Sequence, residues 1–316
     1  MTHFICSHGH KHLIEKAAKP RRKVTRTYTR VENLSKQMAR AVQVNLITGI
    51  KKFKKKVNPD KLFEAWKTGS YGHIMETIPW YDLPADIEKV HDPLKQSSFK
   101  SSLISLEALP PPVKKGLRYD INNPAIKNFL NKRTGNLVTD ITNDTQKVIQ
   151  QSVQRSFTQA LRPDQVGRMI KGNIGLLPRH AIAVDNYRIQ LEKNGMAPDQ
   201  VDTLTGKYQD RLLNYRANMI ARTETRFATN HGQLSIWREA ANQDLIDRST
   251  AKKVWVTDGA PCEICDPMDG IAIPIDSLWV LNNGDQVEIP TESHPHCMCG
   301  MELDFGFGAV DTDEEE

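Results

Sequence analysis

One stretch, residues 199–242, limits the fold before anything else does. Val201, Leu204, Tyr208, Leu212, Tyr215 and Met219 recur every three or four residues, Phe227, Leu234 and Trp237 continue the stripe, and no proline interrupts it. Faces of a helix repeat at that period, so the spacing predicts one long helix, or two in line joined near RTET at 222–225.

Other segments read as companions to it. Leu34, Met38, Ala41, Val42, Leu46 and Ile50 have helical spacing over 31–56, in a helix whose polar face is largely positive. Residues 57–118 read as short helical pieces broken by Pro59, Pro79, Pro84 and Pro93. The LPPPV run at 109–113 reads as a stiff linker, because proline fixes φ and favours extended backbone. Residues 1–118 are therefore expected as a basic arm and a helical region ending at that linker. Leu137, Ile141, Val148, Ile149, Val153 and Phe157 predict a helix over 137–161. Pro163 and Pro178 suit the first turns of two more, and Gly195 suits a left-handed cap on the second.

Residues 119–248 thus form the expected helical body. After Arg248 the texture changes to short β-like runs, KKVWVT, IAIPI, DQVEI and CGMELDF, separated by Gly, Pro and Asn turns. The expected fold class is α+β: a mainly helical body with a small, β-rich, zinc-stapled module at 249–305 and an acidic tail at 306–316. A chain of 316 residues can bury a sizeable core. Hydrophobic residues at 39% and charged residues at 26% include no run near the roughly 18–20 apolar residues that a membrane helix requires.

Charge is distributed unevenly. Residues 1–60 carry 15 Lys or Arg against 3 Asp or Glu, whereas residues 258–316 carry 15 acidic residues and no Lys or Arg. Such ends fit a basic arm for a polyanion and a solvated acidic tail. Lys19, Arg21, Arg22, Lys23 and Arg26, with Lys51, Lys52, Lys54, Lys55 and Lys56, are the candidate phosphate contacts, a mode that gives affinity without reading sequence. A solvated helix face or a free arm is the competing reading of the same residues. The HGHKH run at 8–12, with Cys6, reads as a His-rich arm rather than a built metal site.

The chemistry concentrates near the C-terminus. MTHFICSHGHKHLIEK lacks the charged-then-apolar plan of a secretory signal, so the five cysteines are expected to stay reduced and to read as ligands or free thiols before disulfides. Cys262 and Cys265 form a CxxC, and HPHCMC supplies His294, His296, Cys297 and Cys299 about 30 residues later. Zinc takes four such donors in a tetrahedron, and two turns can each present a pair. The expected set is Cys262, Cys265, His294 and Cys297, with Cys299 and His296 as alternates. Filling all four positions with protein favours a structural ion over a catalytic one, which keeps a place for water.

A redox CxxC would need a helix N-terminus to lower its thiol pKa, which the β-rich context does not offer. Zinc-containing nucleases also use CxxC with HxxC. Their chemistry requires a second cluster of His, Asp or Asn, and no histidine follows His296. HExxH, P-loop and GxSxG patterns are also missing from the chain, so no enzyme is expected. Within the long stripe Arg222, Glu224, Arg226, Asn230 and His231 read as salt-bridge and capping residues at a helix joint.

In order along the chain, RANMIARTETRFATNHGQLSIW, then KKVWVTDGAPCEICDPMDG, then HPHC followed by Cys299 resemble the phage head morphogenesis proteins, the minor head proteins of the Mu F-like group. The resemblance covers about residues 135–305. It implies a virion protein of the capsid interior, assembled in the host cytoplasm, with the portal protein, the major capsid or scaffold protein and phage DNA as partners and no membrane in the assembled head. Met298 stands where the family pattern has arginine. The alternative from another class is a zinc-containing enzyme of nucleic acid processing.

Overall fold

The computed structural model of this protein describes residues 3–5, 11–13, 24–118, 120, 124–158, 163–259 and 261–305. Within them the chain runs α1 (Arg26–Lys56), α2 (Pro59–Lys67), α3 (Tyr71–Glu76), α4 (Asp82–Ile87), α5 (His91–Glu107) and α6 (Pro111–Gly116). It continues through α7 (Pro124–Thr158), α8 (Pro163–Asn173), α9 (Pro178–Lys193) and α10 (Pro198–Asn242). Two strands precede α1, β1 (His3–Ile5) and β2 (Lys11–Leu13), paired antiparallel. Five follow α10: β3 (Lys252–Val256), β4 (Ala272–Pro274), β5 (Trp279–Val280), β6 (Gln286–Val287) and β7 (Gly300–Asp304). The fold is α+β and mainly helical, with a small antiparallel module at its C-terminal end. None of the described helices is long and apolar enough to cross a membrane.

Helix α10 is continuous over 45 residues, with no joint at RTET. Its first half buries Val201, Leu213, Ala217 and Ala221, while Tyr215 is 52% exposed. The buried line therefore runs beside the apolar stripe there rather than along it. From Glu224 to Asn230 every residue is buried, because α1, α5 and the module all close on this part of the helix. Gly232 permits the closest approach. A Cβ at that position would lie 2.1 Å from the Ser98 carbonyl oxygen of α5, and Ser102 Oγ donates to the Gly232 carbonyl at 2.9 Å.

Helix α1 begins at Arg26, five residues before the expected start, with Thr25 Oγ1 accepting from the Tyr28 amide at 3.1 Å as its cap. Leu34, Met38, Val42, Leu46 and Ile50 face the core, as their spacing predicts, and Ala41 is exposed. Helix α9 ends where Gly195 adopts φ 74°, and the Met196 amide closes back on the Leu191 carbonyl at 3.2 Å.

The proline run at 109–113 is not a spacer. Pro111 opens α6, and Leu109 and Val113 are buried in the core shared by the end of α10 and the strands. Residues on both sides of that run also share the helical core, where Leu46 and Phe53 of α1 meet Ile141 of α7 and Leu213 of α10. Proline at the first helical position lacks a donor that would be unpaired there anyway, so it starts a helix as readily as it stiffens a linker.

In the module β3 lies between β4 and β7, with Lys252 paired to Pro274 on one side and to Asp304 on the other. β5 and β6 form a separate two-stranded pair. Trp255 and Trp279 meet edge to face at 5.3 Å between centroids, and the Lys253 ammonium lies 4.6 Å from the Trp279 ring centre. Burial pulls the Lys253 pKa down to about 8, and its ammonium donates to the Glu288 carbonyl at 2.8 Å. Four of the expected β runs became β3, β4, β6 and β7. The two-residue β5 was not foreseen, being too short for alternation to register.

Candidate metal centre

Two tight turns bring the sulfurs together. In the first, the amides of Cys265 and Asp266 close on the Cys262 carbonyl at 3.1 and 2.8 Å. In the second, His296 takes the left-handed conformation at φ 67°, and the Cys297 amide closes on the His294 carbonyl at 3.3 Å. Each turn displays two side chains three positions apart on one side, the way a knuckle offers a pair of ligands. The strand pairings of β3 with β4 and β7 bring the turns together.

The donor atoms form two overlapping groups. Cys262, Cys265 and His294 lie within 4.8 Å of one another, as do Cys265, Cys297 and Cys299. Cys265 belongs to both. His294 Nε2 lies 3.1 Å from Cys262 Sγ and 3.2 Å from Cys265 Sγ, and Cys265 Sγ lies 3.8 Å from Cys297 Sγ. His294 Nδ1 is 2.8 Å from the Pro295 carbonyl oxygen, which holds the proton on Nδ1 and leaves the Nε2 lone pair free for a cation. Cys262 is exposed and His294 half-buried, whereas Cys265, Cys297 and Cys299 are buried.

Three buried sulfurs so close cannot all ionise without a cation. The Cys297 thiol is pushed down because its sulfur accepts from Cys265, and Cys265 is pushed up by the same bond. A bound divalent ion would deprotonate its thiol ligands outright. The Cys/His cluster can thus hold a metal ion. His296, the other alternate, falls outside both donor groups.

Helix α10 holds the second turn from behind. Arg226, 1% exposed, donates from Nε to the carbonyls of Met298 at 3.0 Å and Cys299 at 3.2 Å, and from Nη2 to the Tyr28 hydroxyl at 2.7 Å. Asn230 Nδ2 donates to the Cys299 carbonyl at 3.1 Å and Gln233 Nε2 to the Met301 carbonyl at 3.4 Å. Gly300 leaves room for this, since a Cβ there would meet Arg226 Nη2 at 2.6 Å and Tyr28 Cε2 at 2.9 Å. Further along the helix Arg238 pairs with Asp276 at 3.0 Å and Glu288 at 2.7 Å. The amide of Thr25 donates to the Glu302 carboxylate at 2.6 Å, so the start of α1 is tied to β7 as well.

These contacts change the reading of the 222–231 stretch. Glu224 does form an ion pair, two-pronged with Arg133 of α7 at 2.7 and 2.9 Å. Arg226 and Asn230 instead grip the loop that carries Cys299, and no helix joint exists for them to cap. Their spacing of four residues puts both on one helix face, the signal that could have marked them as a pair. His231 stacks on Phe129 with ring centres 3.6 Å apart, and burial pushes its pKa down to about 4.

Of the candidate phosphate contacts, Lys19, Arg21, Arg22 and Lys23 lie outside the described residues, as do Cys6 and the acidic tail. Arg26 is exposed at the start of α1. The lysines of 51–56 do not form a free basic face. Lys51 pairs with Asp210 at 3.1 Å, Lys52 with Asp86 at 2.7 Å and Lys56 with Asp82 at 3.1 Å and Asp86 at 2.9 Å. Lys54 is turned inward, its ammonium donating to the Gly172 carbonyl at 2.7 Å, and burial pulls its pKa down to about 8. Lys55 alone of the five is exposed with no ion pair among the described residues. Acids supplied from α4 and α10, distant in sequence, account for the difference. The chain matches no family model, no curated protein and no solved structure.

Proposed function

We propose that this chain is a structural protein of a phage head, a minor head protein of the capsid interior whose C-terminal module is closed by one zinc ion and held against a long helix by hydrogen bonds. The proposed ligand set is Cys262, Cys265, His294 and Cys297, which adds Cys297 of one donor group to the other group through their shared Cys265, and zinc is the ion these soft and borderline donors suit. A tetrahedral zinc with sulfur at about 2.3 Å has sulfur–sulfur edges of about 3.8 Å. The Cys265–Cys297 separation of 3.8 Å meets that requirement.

One observation carries the reading. The motif pieces behind the resemblance, some 70 residues apart, bear on a single joint, where Arg226 and Asn230 of α10 hold the carbonyl of Cys299. Such a joint serves rigidity: the ion fixes two turns, and the helix fixes the second turn. A partner in assembly, the portal or the capsid and scaffold lattice, would meet a surface that does not deform. The arm before α1 supplies the charge for packaged DNA, since the lysines of 51–56 are mostly spent on internal ion pairs.

Mass spectrometry of purified full and DNA-emptied particles tests this. The chain is expected in full particles at a fixed low copy number. Its absence from particles that assemble normally would contradict the proposal. Nucleic acid cleavage by the purified protein that disappears in Cys262→Ser, with head assembly intact, would instead favour the enzyme.

A further inference from the structure

The centre offers five donors for four positions. Cys265 is the vertex common to both groups, and Cys299 Sγ already lies within 4.8 Å of the sulfurs of Cys265 and Cys297. Its main chain is fixed by Arg226 and Asn230, so a side-chain rotation would suffice to bring the sulfur to an ion. Cys262 and His294 form the solvent side of the cluster and the three buried sulfurs its inner side. Cys262 is the more exposed of the two but would bind as an anionic thiolate, whereas His294 would bind as a neutral imidazole. The imidazole is therefore the ligand more open to loss, and Cys299, the donor left to replace it, is buried.

We propose that Cys299 is a reserve ligand, giving the centre two four-coordinate states: Cys262, Cys265, His294 and Cys297, or Cys262, Cys265, Cys297 and Cys299. The proposal rests on the metal reading above. In the exchange the bond from the ion to His294 Nε2 breaks, the Cys299 thiol releases its proton to solvent, and its sulfur bonds the ion. The all-sulfur state carries one more negative charge, and the Arg226 guanidinium, bonded to the Cys299 carbonyl, is placed to offset it. His296 has no such part, since it belongs to neither donor group. A partner that took His294 out of the site would thus leave the ion in place.

The test uses the full-length protein loaded with zinc, then with cobalt(II), whose sulfur-to-metal absorption counts thiolate ligands. Wild type and Cys299→Ala are expected to bind one ion with the same three-thiolate spectrum and closely similar affinity in chelator competition. His294→Ala is expected to keep its ion, weakened by no more than about ten-fold, with thiolate absorption higher by about a third. The double variant is expected to bind at least about a hundred-fold more weakly than wild type, more than the two single losses combined.

Equal losses in His294→Ala and the double variant would overturn the proposal, because Cys299 would then rescue nothing. A loss in Cys299→Ala as large as in Cys297→Ala would also overturn it, making Cys299 a primary ligand. If the double variant does not fold, the His294→Ala spectrum decides alone, and no added thiolate counts against the reserve role. Failure of wild type to take up either ion removes the metal reading itself and this proposal with it.

Discussion

The helical body and the C-terminal module solve the same problem by different means. The body buries long aliphatic rows from α1, α7 and α10 in one core and pairs its interior charges with its own acids. Arg216 of α10 shows the pattern, donating to Asp144 at 2.7 Å and to the carbonyls of Gly175 and Leu176 at 3.0 and 2.9 Å. The module has strands of two to five residues, two tryptophans and three buried sulfurs whose natural partner is a cation. The module's strands are short, and its core is completed by residues of α10 such as Leu234, Ile236 and Trp237. Among the described residues, a Cys/His cluster that could hold a metal ion and a helix that grips the adjoining loop occur together in the module only.

The largest effect is expected from Cys265→Ser, which removes the vertex common to both donor groups. It should release the ion and destabilise the module by about 5 kcal/mol or more. Fluorescence of Trp255 and Trp279 should then report a low-temperature transition while helical circular dichroism persists to the original melt. A single unchanged melt would erase the distinction between the two regions. Arg226→Ala comes next. It leaves the Met298 carbonyl and the Tyr28 hydroxyl without their donor and should cost about 3 kcal/mol, with no rescue by lysine, whose single point charge cannot reach both sides.

The seam between the regions should also show in its pH response. His231 is held neutral in the folded protein down to about pH 4, whereas the unfolded chain takes up its proton near pH 6.5. Its share of stability is therefore complete above about pH 6.5 and falls by about 2–3 kcal/mol as the pH drops towards 4. Denaturant midpoints across that range should flatten in His231→Gln, and an identical slope in the variant would remove His231 as the cause. The smallest effect is expected on the outer face of α1. Lys55→Ala should change stability by no more than about 0.5 kcal/mol. It should change salt-sensitive DNA retention far less than removal of residues 1–23, and the reverse ranking would restore the lysines of 51–56 as the phosphate contacts.

The sequence was legible wherever one local rule decided the outcome. Helix α10 followed from its period, the Pro163 and Pro178 starts from proline's fixed φ, the Gly195 cap from glycine's freedom, and the paired turns from CxxC and HxxC. What stayed hidden depended on partners distant in the chain. Lys51 and Lys52 look like a free basic face until Asp210 and Asp86 arrive. Arg226 reads as a salt-bridge or capping residue at a helix joint until the loop at 298–299 folds onto it, and α1 starts early because Tyr28 docks on that same guanidinium. Leu109 and Val113 read as part of a linker because nothing local says that the module core will cover them.

The central claim is that an ion closes the module, and metal analysis of the purified, natively folded full-length protein tests it most directly. The account predicts about one zinc per chain, removable by chelator only with loss of the Trp255 and Trp279 environment. A protein free of metal with that environment intact would contradict it.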